Sequence, residues 1–167
     1  TLVAVEDLYR PYKPKRKTRA SIAKEKGLEP LANIIYLQMT TKSLEEEAKA
    51  YVDEEKDVAT VAEALAGAGD ILAEAISDEA DYRTKIRSLT EKEGSVVSQA
   101  KDEETQSVYE MYYQFSETVK KIAGHRVLAL NRGEAEKILT VKIEAPVDKI
   151  LSYLEKEIIR RDNAHTN

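Results

Sequence analysis

Enzymes working near neutral pH usually present a nucleophile or a general base in a recognisable setting, and this sequence has few such groups. It contains no cysteine, so it has no thiolate nucleophile, no disulfide framework and no thiolate zinc site. His125 and His165 stand forty residues apart, and neither lies near a G-x-S-x-G elbow or an H-E-x-x-H zinc pair. His125 therefore reads as a helix-cap or buried hydrogen-bonding residue. The phosphate-cradling glycine patterns are missing too, since Gly67 and Gly69 stand alone. The carboxylate runs Glu45 to Glu47, Asp53 to Glu55 and Asp102 to Glu104 lack the alternating oxygen ligands and central glycine of a calcium loop, and they read as solvated helix starts and loops. Asp70 and Glu74 fall one helical turn apart, but two acids do not make a metal site. The inventory argues against an enzyme and assigns no catalytic residue, metal or cofactor.

Binding chemistry is better represented. Arg10, Lys13, Lys15, Arg16, Lys17 and Arg19 crowd into ten residues that contain no acid, in a chain of net charge -5. Taking these six from 26 basic residues leaves 20 against 31 acids, so the remainder carries about -11. The basic run is a local feature. Tyr9 and Tyr12 interleave with its cations, and Pro11 and Pro14 are expected to hold the backbone extended, so that the side chains splay along a line. Such a strip can follow a phosphate backbone. It can equally be a solvated connector whose arginines pair with acids of the same chain. The stretch "YEMYYQF", Tyr109 to Phe115, invites a base-stacking reading, but its flanks Glu110 and Glu117 are acidic, and a partly buried aromatic cluster with hydroxyls at the rim fits it better.

Helices are the elements expected to position these groups. Charged residues are 34% of the chain and hydrophobic ones 42%, with few glycines and prolines, which predicts a mainly α, multi-helix domain with a small two-stranded β element. Thr18 caps a first short helix that Gly27 stops in left-handed conformation, and Pro30 opens a second with Leu31, Ile34, Ile35 and Leu37 buried. Ser43 caps a third. Val58, Val61, Leu65, Ala68, Leu72 and Ile76 recur at helical spacing, predicting an amphipathic helix in which the two glycines weaken the helix or permit close packing. Asp78 is expected to cap a helix to about Glu93, with Tyr82, Ile86 and Leu89 on one face, ended by Gly94. "SVVSQA" and "ILTVKIEA" read as strands able to pair, residues 101 to 107 as loop. Ser116 is expected to begin a helical stretch to about Ile122, and "HRVLALNRG" a short helix stopped by Gly133. Pro146 starts a last helix, whose Val147, Ile150, Leu151, Leu154 and Ile158 form an apolar stripe.

The chain opens with Thr1 and closes directly after this amphipathic helix, which suggests a piece of a larger protein: a helical region with a small β element over 1–144, then a C-terminal helix over 145–167 leading to further domains. No apolar run approaches the length of a membrane span and no leader is evident, so the expected location is cytoplasmic, without a membrane partner.

Three blocks carry a family resemblance: "EDLYRPYKPKRKTRASIAKEKGLEPLA", "GAGDILAEAI" and "YQFSETVKKIAGHRVLALNRGEAEKIL". In this order they resemble the N-terminal to central helical region of the bacterial Tex transcription accessory proteins. The first and third blocks are specific, whereas the middle one is common helix vocabulary. The sequence departs from the family pattern at Gly124, where a serine is expected, and at "SQAKDEETQ", where a more basic stretch is expected. The resemblance implies a part of a nucleic-acid-binding protein that acts with RNA polymerase, with an RNase-H-like domain, helix-hairpin-helix elements and an RNA-binding OB-fold lying beyond this segment.

Two functional readings follow. In the first, the segment is a helical scaffold whose six basic residues, Arg10, Lys13, Lys15, Arg16, Lys17 and Arg19, make auxiliary phosphate contacts to RNA or DNA. In the second, it is a protein-interaction module whose stripe over 147–159 docks onto a partner helix or the rest of its own chain. An exposed stripe would also allow a homo-oligomer of the fragment.

Overall fold

A computed structural model describes residues 1–14 and 17–161. Helix makes up 61% of it, which fixes the class as mainly α. The chain forms two compact units, one built from Thr1–Arg83 with the segment from Leu154 onward and the other from Thr84–Tyr153.

The first unit opens with a helix the sequence reading did not name, α1 (Leu2–Tyr9). Its single buried residue is Asp7, so it carries no apolar periodicity to betray it. Next come α2 (Arg19–Glu25) and α3 (Glu29–Leu37). Thr18 and Ser21 form a reciprocal capping box at the start of α2, and Gly27 follows its end at φ +80°. Pro30 occupies the first turn of α3, and Leu31 and Ala32 are buried. Leu37, expected in the core, is 61% exposed. It lies six residues beyond Leu31, which turns it about 120° away from the buried face.

Ser43 caps α4 (Leu44–Ala48) as expected, with Glu46 completing the box. The long helix is α5 (Val61–Asp78), capped by Thr60. Val58 precedes it, bridged to Asp53, and is nevertheless buried. The core of this unit joins Leu28, Leu31, Val58, Ala64, Ala68 and Ile71.

A final link comes from the other end of the chain. At the C-terminus of α3, Gln38 takes a left-handed conformation, φ 53°. Its Nε2 donates to the Ile158 carbonyl at 2.7 Å, while its Oε1 accepts from Arg160 N at 2.9 Å and Arg161 N at 3.2 Å. These bonds serve the end of α8 (Val147–Ile158), where backbone groups lack helical partners.

The division between units falls inside α6 (Ala80–Glu93) and inside α8. Asp78 does not serve as a detached cap for α6: it is the last residue of α5, and its side chain is turned to Arg10. Beyond α6 lies a three-stranded antiparallel sheet of order β2-β1-β3, one strand more than the sequence predicts. The expected strands are β1 (Ser95–Ala100) and β3 (Leu139–Glu144), paired from Ser95↔Glu144 to Ala100↔Leu139.

The extra strand, β2 (Gln114–Thr118), replaces the helix expected from Ser116, which instead pairs with Val97. In this segment Phe115 and Glu117 are half-buried between exposed neighbours, a strand period of two that outweighs the cap-like serine. Similarly, α7 (Gly124–Ala135) does not stop at Gly133. That glycine is buried inside the helix, where a β-carbon would come within 2.6 Å of Leu139 Cδ1, and the chain turns at Lys137, φ 62°. The core here is Tyr109, Tyr112, Tyr113, Leu130 and Leu139.

α8 buries none of its residues. Val147 and Leu151 are 58% and 51% exposed, whereas Ile150, Leu154 and Ile158 are half-buried.

Candidate nucleic-acid interface

The basic segment begins where α1 ends. Instead of running extended through Pro11, residues Arg10–Tyr12 wind into a single 3-10 turn, closed by Lys13 N donating to Arg10 O at 3.2 Å. The fixed φ of proline suits a helical turn as well as an extended chain, so Pro11 did not decide between them. Extended backbone begins only at Lys13. Lys15 and Arg16 lie outside the described residues, and the segment closes on Thr18 and Arg19 at the start of α2.

What places this segment is the contact of α2 with α5. Ala20 and Ala23 on α2 and Ala64 and Ala68 on α5 are buried small residues. At Gly67 an added β-carbon would lie 2.4 Å from Leu28 Cδ1 and 3.3 Å from Ala23 Cβ. Short side chains thus bring the two helices close and set Arg19 beside the α5 carboxylates. Asp70, Glu74 and Asp78 recur every fourth residue, one face of α5, with about 12 Å between first and last.

The described basic residues divide into two groups. Arg10 Nε donates to Asp78 Oδ1 at 3.0 Å, and Arg19 Nη2 meets Asp70 Oδ1 at 3.2 Å. Asp78 is nearly enclosed, 11% exposed at its side chain, and Arg10 is half-exposed; Arg19 is 85% exposed and Asp70 28%. A third arginine, Arg83, donates to Asp7 Oδ1 at 2.9 Å and to the Ser77 carbonyl at 3.1 Å, which ties α1 to the end of α5. Lys13 and Lys17 are exposed as well, and Lys17 has only a long contact, 3.8 Å, to the exposed Glu25. Tyr9 and Tyr12 are exposed beside them. A cleft of about 500 Å³ opens between the basic segment and α5, lined by Arg10, Lys13 and Arg19 on one wall and Asp70, Glu74 and Asp78 on the other.

The two arginines at the ends of the run thus pair with acids of the same chain. The sequence showed Asp70 and Glu74 a turn apart but took Asp78 for a helix cap, and so missed the row that faces them. Its four-residue spacing was the available signal.

The other candidates belong to the second unit or lie outside the described residues. Tyr109, Tyr112 and Tyr113 form the second unit's core, with the Tyr109 hydroxyl donating to Glu136 Oε1 at 2.8 Å and the Tyr113 hydroxyl donating to the Thr105 carbonyl. The Glu136 bond, then burial, push the Tyr109 hydroxyl above its ordinary pKa. No open stacking platform remains there. His125 is exposed near the start of α7, not buried, and His165 lies outside the described residues. Among the described residues no helix is long and apolar enough to cross a membrane.

Comparison with known proteins gives these elements a context. Residues 39–166 match a family model described as Tex central region-like, and the basic segment precedes that match. The chain is 52% identical over 162 residues to the uncharacterized protein YdcI of Bacillus subtilis, covering 95% of this chain and 22% of that protein. It is 34% identical over 165 residues to the transcriptional accessory protein Tex of Neisseria gonorrhoeae, covering 95% and 21%. It is 31% identical over 152 residues to the human S1 RNA-binding domain-containing protein 1, covering 86% and 15%. The chain therefore spans about a fifth or less of the length of these relatives.

Proposed function

This chain belongs to the Tex central region-like family, and on that premise we propose that it is a helical scaffold segment of a cytoplasmic, nucleic-acid-binding transcription accessory protein that acts with RNA polymerase. The family match over residues 39–166 is the observation that carries this reading. The names of two relatives, a transcriptional accessory protein and an S1 RNA-binding domain-containing protein, support its direction. The role is binding and positioning, not catalysis. Auxiliary phosphate contacts come from the basic segment, with exposed Lys13 and Lys17 at the front and Tyr9 and Tyr12 available to stack on bases.

Titration with single-stranded RNA against salt tests this. With Arg10 and Arg19 engaged by carboxylates, two or three of the six cations meet phosphate, and log K should fall against log salt with a slope of about -2. Replacing Lys15, Arg16 and Lys17 with glutamine should flatten that slope and leave the helical circular dichroism unchanged. An unaltered slope, or an unfolded triple variant, would make the basic run a structural dock.

A second reading rests on α8, whose Val147 and Leu151 stand open to solvent. If that face is a protein-docking surface, Leu151→Asp with Leu154→Asp abolishes capture of RNA polymerase while neutralising the basic run leaves it intact.

A further inference from the structure

We infer that Asp70 is the resident anion of Arg19, so that nucleic acid engages this surface by displacing a carboxylate and not by entering a vacant cationic site. The inference rests on the phosphate-contact reading above and specifies how that contact is regulated.

Three observations carry it. First, the wall that faces the basic segment bears Asp70, Glu74 and Asp78, so a phosphate entering the cleft between them meets carboxylates at short range. Second, the two arginine pairs are not equivalent. Arg10 meets Asp78 in a partly buried hydrogen bond, with the Asp78 side chain 11% exposed, whereas Asp70 is 28% exposed and Arg19 85% exposed. Water can solvate both partners of the second pair as it opens, so Arg19 is exchangeable and Arg10 is fixed. Third, Arg19 is the first residue of α2, and the close seating of α2 on α5 where Ala23 meets Gly67 keeps Asp70 opposite it. Helix packing thus holds the competing anion in place, and the guanidinium that meets Asp70 through Nη2 is the group that would grip a phosphodiester.

Binding of an oligouridine and of a duplex DNA of equal length, at low salt, tests the exchange in the wild-type chain, Asp70→Asn, Arg19→Gln and the double variant. Asp70→Asn should tighten binding about fivefold, the worth of one opposite-charge contact near 4 Å in water that Arg19 no longer has to give up. In the Arg19→Gln background the same change should do almost nothing. Asp70→Glu keeps the competing charge and should bind as the wild type does, which guards against a folding artefact. The phosphodiester is common to both ligands, so both should respond, and a shift confined to one overturns the inference. Equal tightening with and without Arg19 would mean bulk repulsion and would also overturn it. If Asp70→Asn has no effect while the wild type binds measurably, the exchange is wrong and the phosphate-contact reading stands. If none of the proteins binds either ligand, both fall.

Discussion

Leu28 lies against the bare backbone of Gly67, its Cδ1 2.4 Å from where a β-carbon would stand. Two residues along, Gly69 has nothing within 4 Å of the same position. Gly67→Ala must displace a buried leucine, a strain of about 1–3 kcal/mol that outweighs the roughly 1 kcal/mol gained in helix propensity. Gly69→Ala keeps the gain alone and should stabilise by up to about 1 kcal/mol. Urea denaturation of the two variants should move the midpoint in opposite directions.

Arg83→Met removes the guanidinium from Asp7, whose side chain is 6% exposed. A charged hydrogen bond lost from an enclosed carboxylate should lower stability by about 2 kcal/mol. Because the same guanidinium joins α1 to the Ser77 carbonyl, limited proteolysis should cut between α1 and α2 sooner in this variant than in the wild type.

The raised pKa of Tyr109 makes its contribution to the second unit's stability depend on alkaline pH. The bond to Glu136 favours the protonated hydroxyl in the folded state. A folded value above the unfolded one gives stability that is complete below about pH 10 and is lost as pH rises through the folded value. Tyr109→Phe should be less stable than the wild type at neutral pH yet show a flatter decline in denaturation midpoint above about pH 10.

Gln38→Ala leaves the Ile158 carbonyl and the Arg160 and Arg161 amides without their side-chain partner. The cost should be about 1 kcal/mol. It should appear locally, as faster amide exchange over the last turn of α8 and not in the sheet.

Local chemistry accounts for what the sequence made visible. The capping residues Thr18, Ser43 and Pro30, the spacing along α5 and the β-branched runs of β1 and β3 all act within a few residues of themselves, and the elements formed where they predict, except that α5 starts at Val61 and leaves Val58 outside it. β2 was hidden because five residues give little alternation to read and Ser116 resembles a helix cap. α1 was hidden because what it buries is an aspartate held by an arginine 76 residues away. The candidate site divides the same way. Its cations are legible as a run, but Arg10 and Arg19 are occupied by acids 68 and 51 positions downstream. Only the small-residue seam of α2 on α5 brings them together.

The Gln38 bonds also have a consequence for synthesis on the ribosome. Gln38 and Ile158 are 120 positions apart. At about 5–20 residues per second, that interval lasts roughly 6 to 24 seconds. During this time α3 has emerged but the helix end that its last residue will hold does not yet exist. A nascent chain therefore carries the N-terminal unit in an unfinished state, available to a chaperone or protease, until the segment from Leu154 onward is delivered.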